Sequence, residues 1–194
     1  MKKYEFTGET KENIFGDTLH RIRAVRDFGD VKAGDLGGWI EKEENLSHDG
    51  TAWVYGDAQV YDNARICGDA WVFGDALVYG DARVFGDAMA YGDAQIYGDA
   101  LVCGKAWVCD NAEITSTNHF LVVGPIGSRC DYTTFYRNND NGITVKCGCF
   151  LGGIDEFLAA VEKTHGDSKH GQAYRAAAEL AKIQIDLTEA TYEK

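Results

Sequence analysis

With 194 residues, 45% of them hydrophobic, the chain is long enough for one sizeable domain or for a repeat array with caps. A formal charge of −12 repels nucleic acid and anionic membranes on average, so an anion would need a locally basic cluster. Apolar runs such as Phe120 to Val123 are too short to span a bilayer, and Met1-Lys2-Lys3 leads into polar sequence, so a cytoplasmic protein without a leader is expected.

Residues 1–50 are expected to form an N-terminal β cap that leads into a first coil. Tyr4-Glu5-Phe6 and Arg21 to Val25 read as short strands. Gly34, Gly37 and Gly38 mark a turn, after which Trp39, Ile40 and Leu46 start the coil. Arg21, Arg23 and Arg26 form a small basic group, read as a solvated strand face.

From Thr51 to Asn118 the sequence repeats every six residues. Val54, Val60, Ile66, Val72, Val78, Val84, Ile96, Val102, Val108 and Ile114 keep one register, with Ala90 as the exception. Two residues before each stands an alanine, from Ala52 to Ala112, in eleven consecutive units. On a strand, residues two apart share a face, so the alanine and the branched residue point inward together. Gly-Asp, Asp-Asn or Gly-Lys pairs between units supply residues that tolerate positive φ, and hence a corner. Three units close a triangular coil of 18 residues, and the stretch makes about four coils stacked as parallel strands.

The run Val72-Phe73-Gly74-Asp75-Ala76-Leu77-Val78-Tyr79-Gly80-Asp81-Ala82 resembles hexapeptide-repeat, left-handed β-helix proteins. The lead-in Arg26 to Glu41 is similar to a bacterial and phage β-solenoid family often labelled putative acyltransferases. The left hand of the coil is implied by that resemblance.

The outward residue between alanine and valine reads Trp53, Trp71, Met89, Trp107 on the first side of the prism. It reads Gln59, Leu77, Gln95, Glu113 on the second, and Arg65, Arg83, Leu101 on the third. Exposed stacked tryptophans mark a contact surface. Proteins of the resembled class commonly pack as trimers, so Trp53, Trp71, Met89 and Trp107 are the expected homo-oligomer interface, with a cap or loop folding over the stripe as the alternative. The corner aromatics Tyr55, Tyr61, Phe73, Tyr79, Phe85, Tyr91 and Tyr97 are read as structural ladders.

Hexapeptide acyltransferases use a histidine as general base, and none lies between Thr51 and Asn118. Only His48 and His119, at the coil ends, are left for that role. The three metal-binding histidines of the carbonic-anhydrase branch are missing too. Neither a catalytic residue nor a cofactor is therefore assigned. The six cysteines fit reduced thiols: Cys67 and Cys103 stand two coils apart, about 9.6 Å, beyond disulfide reach.

Residues 119–194 read as an α/β domain larger than a cap requires. His119 to Val123, Thr133 to Tyr136 and Ile143 to Phe150 are predicted strands, the last entered by an Asn-Asp-Asn-Gly turn. Ile154, Phe157, Leu158 and Val161 follow at helical spacing up to Gly166. Asp167 or Ser168 caps a last helix with Tyr174, Ala177, Ala178 and Ala181 on one side. Gly124-Pro125-Ile126-Gly127-Ser128-Arg129, Cys147 to Phe150 and Thr164 to Asp167 resemble a tail of phage and prophage solenoid proteins. Gly124, Gly127, Ser128 and Arg129 have the parts of a phosphate or carboxylate cradle, with Arg137 and Lys146 near in sequence and Tyr132 or Tyr136 available to stack on a base. A plain turn is the alternative. Cys130, Cys147, Cys149, His165 and His170 lack zinc-knuckle spacing, and Cys147 is read as core, so no metal is assigned.

The resulting expectation is a non-catalytic, oligomeric binding protein whose C-terminal domain holds a small anionic or nucleotide-type ligand. The phage resemblance implies sequestration of a host immune signal as its use. General nucleic-acid and membrane partners are not expected. A CoA-dependent acyltransferase using a coil-end histidine, and a purely structural spacer, are the alternatives.

Overall fold

The computed structural model describes residues 1–187. An antiparallel hairpin, β1 (Tyr4–Glu12) and β2 (Thr18–Ala24), leads to β3 (Leu36–Ile40). The repeat follows as β4 (Trp53–Val54), β5 (Gln59–Val60), β6 (Arg65–Ile66), β7 (Trp71–Val72), β8 (Leu77–Val78), β9 (Arg83–Val84), β10 (Met89–Tyr91), β11 (Gln95–Ile96), β12 (Leu101–Val102), β13 (Trp107–Cys109) and β14 (Glu113–Ile114). Strands three apart pair in parallel, Trp53 on Trp71, Gln59 on Leu77, Arg65 on Arg83, so the 18-residue coil is the structural unit. A parallel β-solenoid of about four turns results, with the three outward rows expected from the sequence.

The inward row is a dry core. All the repeat alanines and their valine or isoleucine partners are at most 2% exposed. Ala90 is buried as well, opposite Val72 and Val108. Rungs are tied by backbone bonds such as the Gln59 N–H donating to Ala76 O at 3.0 Å and the Tyr79 N–H to Ile96 O at 3.0 Å. The corner rings stack as ladders: Tyr61, Tyr79 and Tyr97 at 5.0 and 4.8 Å, nearly parallel, and Phe73 on Tyr91 at 4.9 Å.

The N-terminal segment does more than cap. β2 pairs antiparallel with β3, and β3 pairs parallel with β5 at Trp39↔Gln59, so the hairpin extends the second face. Its strands are longer than the sequence suggests, because much of β1 is exposed and lacks a regular apolar alternation. Leu19 and Phe15 of the hairpin cover the Tyr61–Tyr79–Tyr97 ladder. Arg21 is not a solvated charge: its guanidinium packs 5.1 Å over the Trp39 ring, and Lys11 packs over the same ring at 4.6 Å. Lys3, which carries no sequence signal, is fully buried and donates its Nζ to Ala52 O at 2.7 Å.

After the last coil come β15 (Phe120–Ile126), β16 (Asp131–Arg137), β17 (Ile143–Cys147) and β18 (Phe150–Gly153), a four-stranded antiparallel sheet. Two helices, α1 (Ile154–His165) and α2 (Lys169–Gln184), pack on it. Ser168 Oγ accepts from the Gly171 N–H, capping α2, and Gly166 closes α1. The expected strand from Ile143 to Phe150 is instead two strands, broken where Gly148 turns at φ +58°. Cys147 and Cys149 therefore do not share a strand face; Cys149 sits exposed in the turn.

Candidate functional site

The C-terminal sheet docks on the solenoid through β16. Its alternation sends Thr134 and Tyr136 toward the coils and Phe135 toward the helices. Thr134 Oγ1 accepts from the Trp107 N–H at 3.0 Å, and the Tyr136 hydroxyl donates to Cys109 O at 3.1 Å. Burial, and next the Cys109 thiol, push the Tyr136 hydroxyl far above the ordinary phenol range. At the same seam Arg137 is buried. Its guanidinium donates to Asn141 Oδ1 at 2.6 Å and stands 3.8 Å from Glu113, which in turn accepts from Tyr97 Oη at 2.6 Å.

Beside that seam lies a cleft of about 250 Å³, walled by Met89 and Trp107 of the solenoid and by Tyr132, Thr134 and Lys146 of the sheet. Lys105 Nζ lies 5.4 Å from the Tyr132 ring centroid, and Lys146 Nζ lies 5.7 Å from the Trp107 centroid. Both distances are within cation–π range. Asp87 and Asp131 also face the cleft. The Trp107 side of it is open, since that residue is 40% exposed. Such a site offers aromatic faces to a flat ring, two ammonium groups to an anion, and two carboxylates to donors on the ligand.

The seven residues singled out from the sequence are not brought together. Tyr132 and Lys146 line this cleft. Ser128 and Arg129 line a different hollow of about 260 Å³ against the helices, with Cys147, His165 and Tyr174. Arg137 is occupied in the seam. Gly124 lies within β15, where a Cβ would come 2.8 Å from Tyr132 Cα. Gly127 has φ +73°, and a Cβ there would overlap the Tyr174 hydroxyl at 1.8 Å. Both glycines answer to packing. Trp107, Lys105 and Met89 were missed as cleft-lining residues because they belong to the repeat, where an outward residue gives no hint of what docks over it.

The tryptophan row is divided by its neighbours. Trp53 is 0% exposed, packed against Phe28 at 5.3 Å and Tyr4 at 6.1 Å, so the N-terminal segment covers it and no second copy can reach it. Trp71 and Met89 are half-buried, and Trp71 lines an open apolar hollow with Tyr55 and Phe73.

Neither coil-end histidine presents a basic nitrogen to a substrate. His119 is 0% exposed, and its Nδ1 accepts from the Thr115 N–H at 3.1 Å. His48 Nδ1 accepts from the Lys3 N–H at 3.3 Å, which leaves the ring proton on the buried Nε2, 3.8 Å from Glu43. Burial lowers the His48 pKa from the ordinary imidazole range, against the nearby Glu43 carboxylate, and so favours the neutral ring. Among the described residues no cluster of three or more histidine, cysteine or acidic side chains has the arrangement of a metal site. None of their helices is long and apolar enough to cross a membrane.

The family model described as YdcK Beta solenoid repeat matches residues 58–74 and 94–112. The protein named uncharacterized acetyltransferase YdcK, from Escherichia coli (strain K12), is 38% identical over 65 residues. That match covers 28% of this chain and 19% of the relative, so the chain spans less than a fifth of that protein's length.

Proposed function

We propose that this hexapeptide-repeat β-solenoid protein is a non-catalytic binding protein that holds a small anionic, nucleotide-type ligand between its last coils and its C-terminal sheet. The observation that carries this reading is the pairing of Lys105 with Tyr132 and Lys146 with Trp107 around one cleft. A base stacks on an aromatic face and the phosphate meets the ammonium groups, while Asp87 or Asp131 accepts from ribose or base donors. No histidine or cysteine lines the cleft, so its residues suit retention of a ligand better than its turnover. Sequestration of a nucleotide signal in a phage or prophage setting is the use we assign to it. The partner on the first face is a further copy of the chain, in a homotrimer, meeting at Trp71 and Met89 with Tyr55 and Phe73 at the margin.

The name of the E. coli relative favours acyl transfer as a second reading. Against it stand the committed Nδ1 atoms of both coil-end histidines.

Calorimetric titration of the full chain with a panel of mono- and cyclic nucleotides tests the proposal, beside acetyl-CoA. Binding of at least one nucleotide is expected, weakened tenfold or more in the Lys105→Gln/Lys146→Gln variant. Silence across the panel, or affinity unchanged in that variant, would refute the assignment. Acetyl-CoA binding lost in His48→Ala would establish the second reading instead.

A further inference from the structure

The third face of the prism carries a charge arrangement that the cleft does not account for. β6 and β9 pair in parallel register with Arg65 directly opposite Arg83, and both side chains are exposed. Adjacent strands lie about 4.8 Å apart, so two guanidinium stems leave the sheet side by side. Like charges opposed across a rung destabilise the pairing.

The chain has 31 acidic residues with which to neutralise such a pair, yet among the described residues neither arginine makes an ion pair. The polar groups beside them are engaged with each other. Asn63 Nδ2 donates to Asp81 Oδ1 at 3.1 Å, and Lys42 Nζ donates to Asn63 Oδ1 at 3.4 Å. Asn45 is turned inward, its Nδ2 donating to the Asp62 and Ala64 carbonyls at 3.1 and 2.9 Å. Arg65, Arg83, Lys42 and Asn63 thus border an open cleft of about 470 Å³, with Glu44 and Asp81 also on its wall.

We propose that Arg65 and Arg83 form a binding site for a single dianionic phosphate group, separate from the nucleotide cleft. A tetrahedral oxyanion seated between the two rungs accepts from both planar forks and turns their repulsion into a shared attraction. Lys42 adds a third positive charge at the rim. The site is limited to two rungs, because the same row continues as Leu101 on the next coil. A lone phosphate group fits that length, while an extended polyanion would run beyond the arginines along a chain whose net charge is −12.

The test is titration of the full chain with inorganic phosphate and pyrophosphate at low ionic strength, followed by ³¹P line broadening and by the thermal midpoint. Saturable broadening and a raised midpoint are expected in the wild type. Arg65→Gln and Arg83→Gln each weaken affinity about tenfold, and the double variant abolishes it. The arginine substitutions are also made in the Lys105→Gln/Lys146→Gln background, where the cleft ammonium groups are gone; the same weakening there separates this site from the cleft. Affinity in that background that does not fall when both arginines are replaced overturns the proposal. A second measurement needs no ligand: without phosphate, Arg83→Gln raises the thermal midpoint by removing the like-charged rung. A lower midpoint would show that the arginines serve the fold, and would overturn the assignment as well.

Discussion

The corners of the solenoid allow a paired experiment on what holds successive coils together. Gly80 and Gly104 have almost the same backbone, φ +68° and +69°. Alanine in this left-handed region costs about 1–2 kcal/mol at either position. Their surroundings differ. A Cβ on Gly80 would lie 2.9 Å from Gly98 N and 3.4 Å from its Cα, backbone atoms of the next coil that cannot swing away. A Cβ on Gly104 would meet nothing within 4 Å. Gly80→Ala therefore adds an overpacking term of about 1–3 kcal/mol that Gly104→Ala lacks. With a urea slope on the order of 2 kcal/mol/M, the Gly80→Ala midpoint should fall roughly 0.5–1.5 M below that of Gly104→Ala. Far-UV circular dichroism and tryptophan fluorescence should be followed together, since coincident transitions are needed for the comparison to hold in a repeat protein. Equal midpoints for the two variants would refute the claim that corner glycines are required by the close approach of the next coil.

Trp53→Ala should cost about 3–5 kcal/mol, because it empties a fully enclosed site beneath Tyr4 and Phe28. For the proposed homo-oligomer, Trp71→Ala should cost clearly less in the monomer yet shift the native mass spectrum toward a single chain; a wild type that is already a single chain, or an oligomer that persists in the variant, would remove Trp71 from the proposed interface. Lys3 is held down to a pKa of about 8, first by desolvation and then by Arg26. The unfolded chain binds that proton up to about pH 10.5, so it carries more protons than the folded chain between those limits, and this group's contribution to stability rises with pH there. Denaturation between pH 8 and 9.5, below the range where unfolded tyrosines ionise, should show that rise in the wild type and not in Lys3→Met. Parallel pH profiles would show that the Lys3 ammonium is not the source.

The solenoid was legible because its information is local and repeated. Alanine and valine two apart set the inward face, and Gly-Asp pairs set the corners, so register, row membership and aromatic ladders follow without tertiary knowledge. The helix caps at Gly166 and Ser168 are local in the same sense. What was not legible lies between elements. Nothing in Lys3 announces burial on Ala52 O, and Trp53 and Trp71 occupy equivalent repeat positions although only one is covered. The Ser128–Arg129 loop and Tyr132 are close in sequence and still belong to different hollows, because β16 gives one face to the helices and the other to the coils. The break at Gly148 was hidden by an apolar run on both sides of it.

That two-faced sheet also limits how a ligand can be held. A molecule held in the cleft as proposed would touch coil residues, Met89 and Trp107, on one side and docked-sheet residues, Tyr132 and Lys146, on the other. Its geometry therefore depends on the seam, on the Trp107 N–H bonded to Thr134 Oγ1 and the Tyr136 hydroxyl bonded to Cys109 O. The seam is buried, and Tyr136 keeps its proton at any ordinary pH, so the hydroxyl remains a donor and the wall stays in register with the coil. Helices α1 and α2 pack on the opposite face of the sheet and give it the core it needs to stand against the prism. An α/β unit larger than an end cap requires is what this arrangement calls for: a cap must only cover a cross-section, while a cleft wall must be held at a fixed distance from the coil it faces.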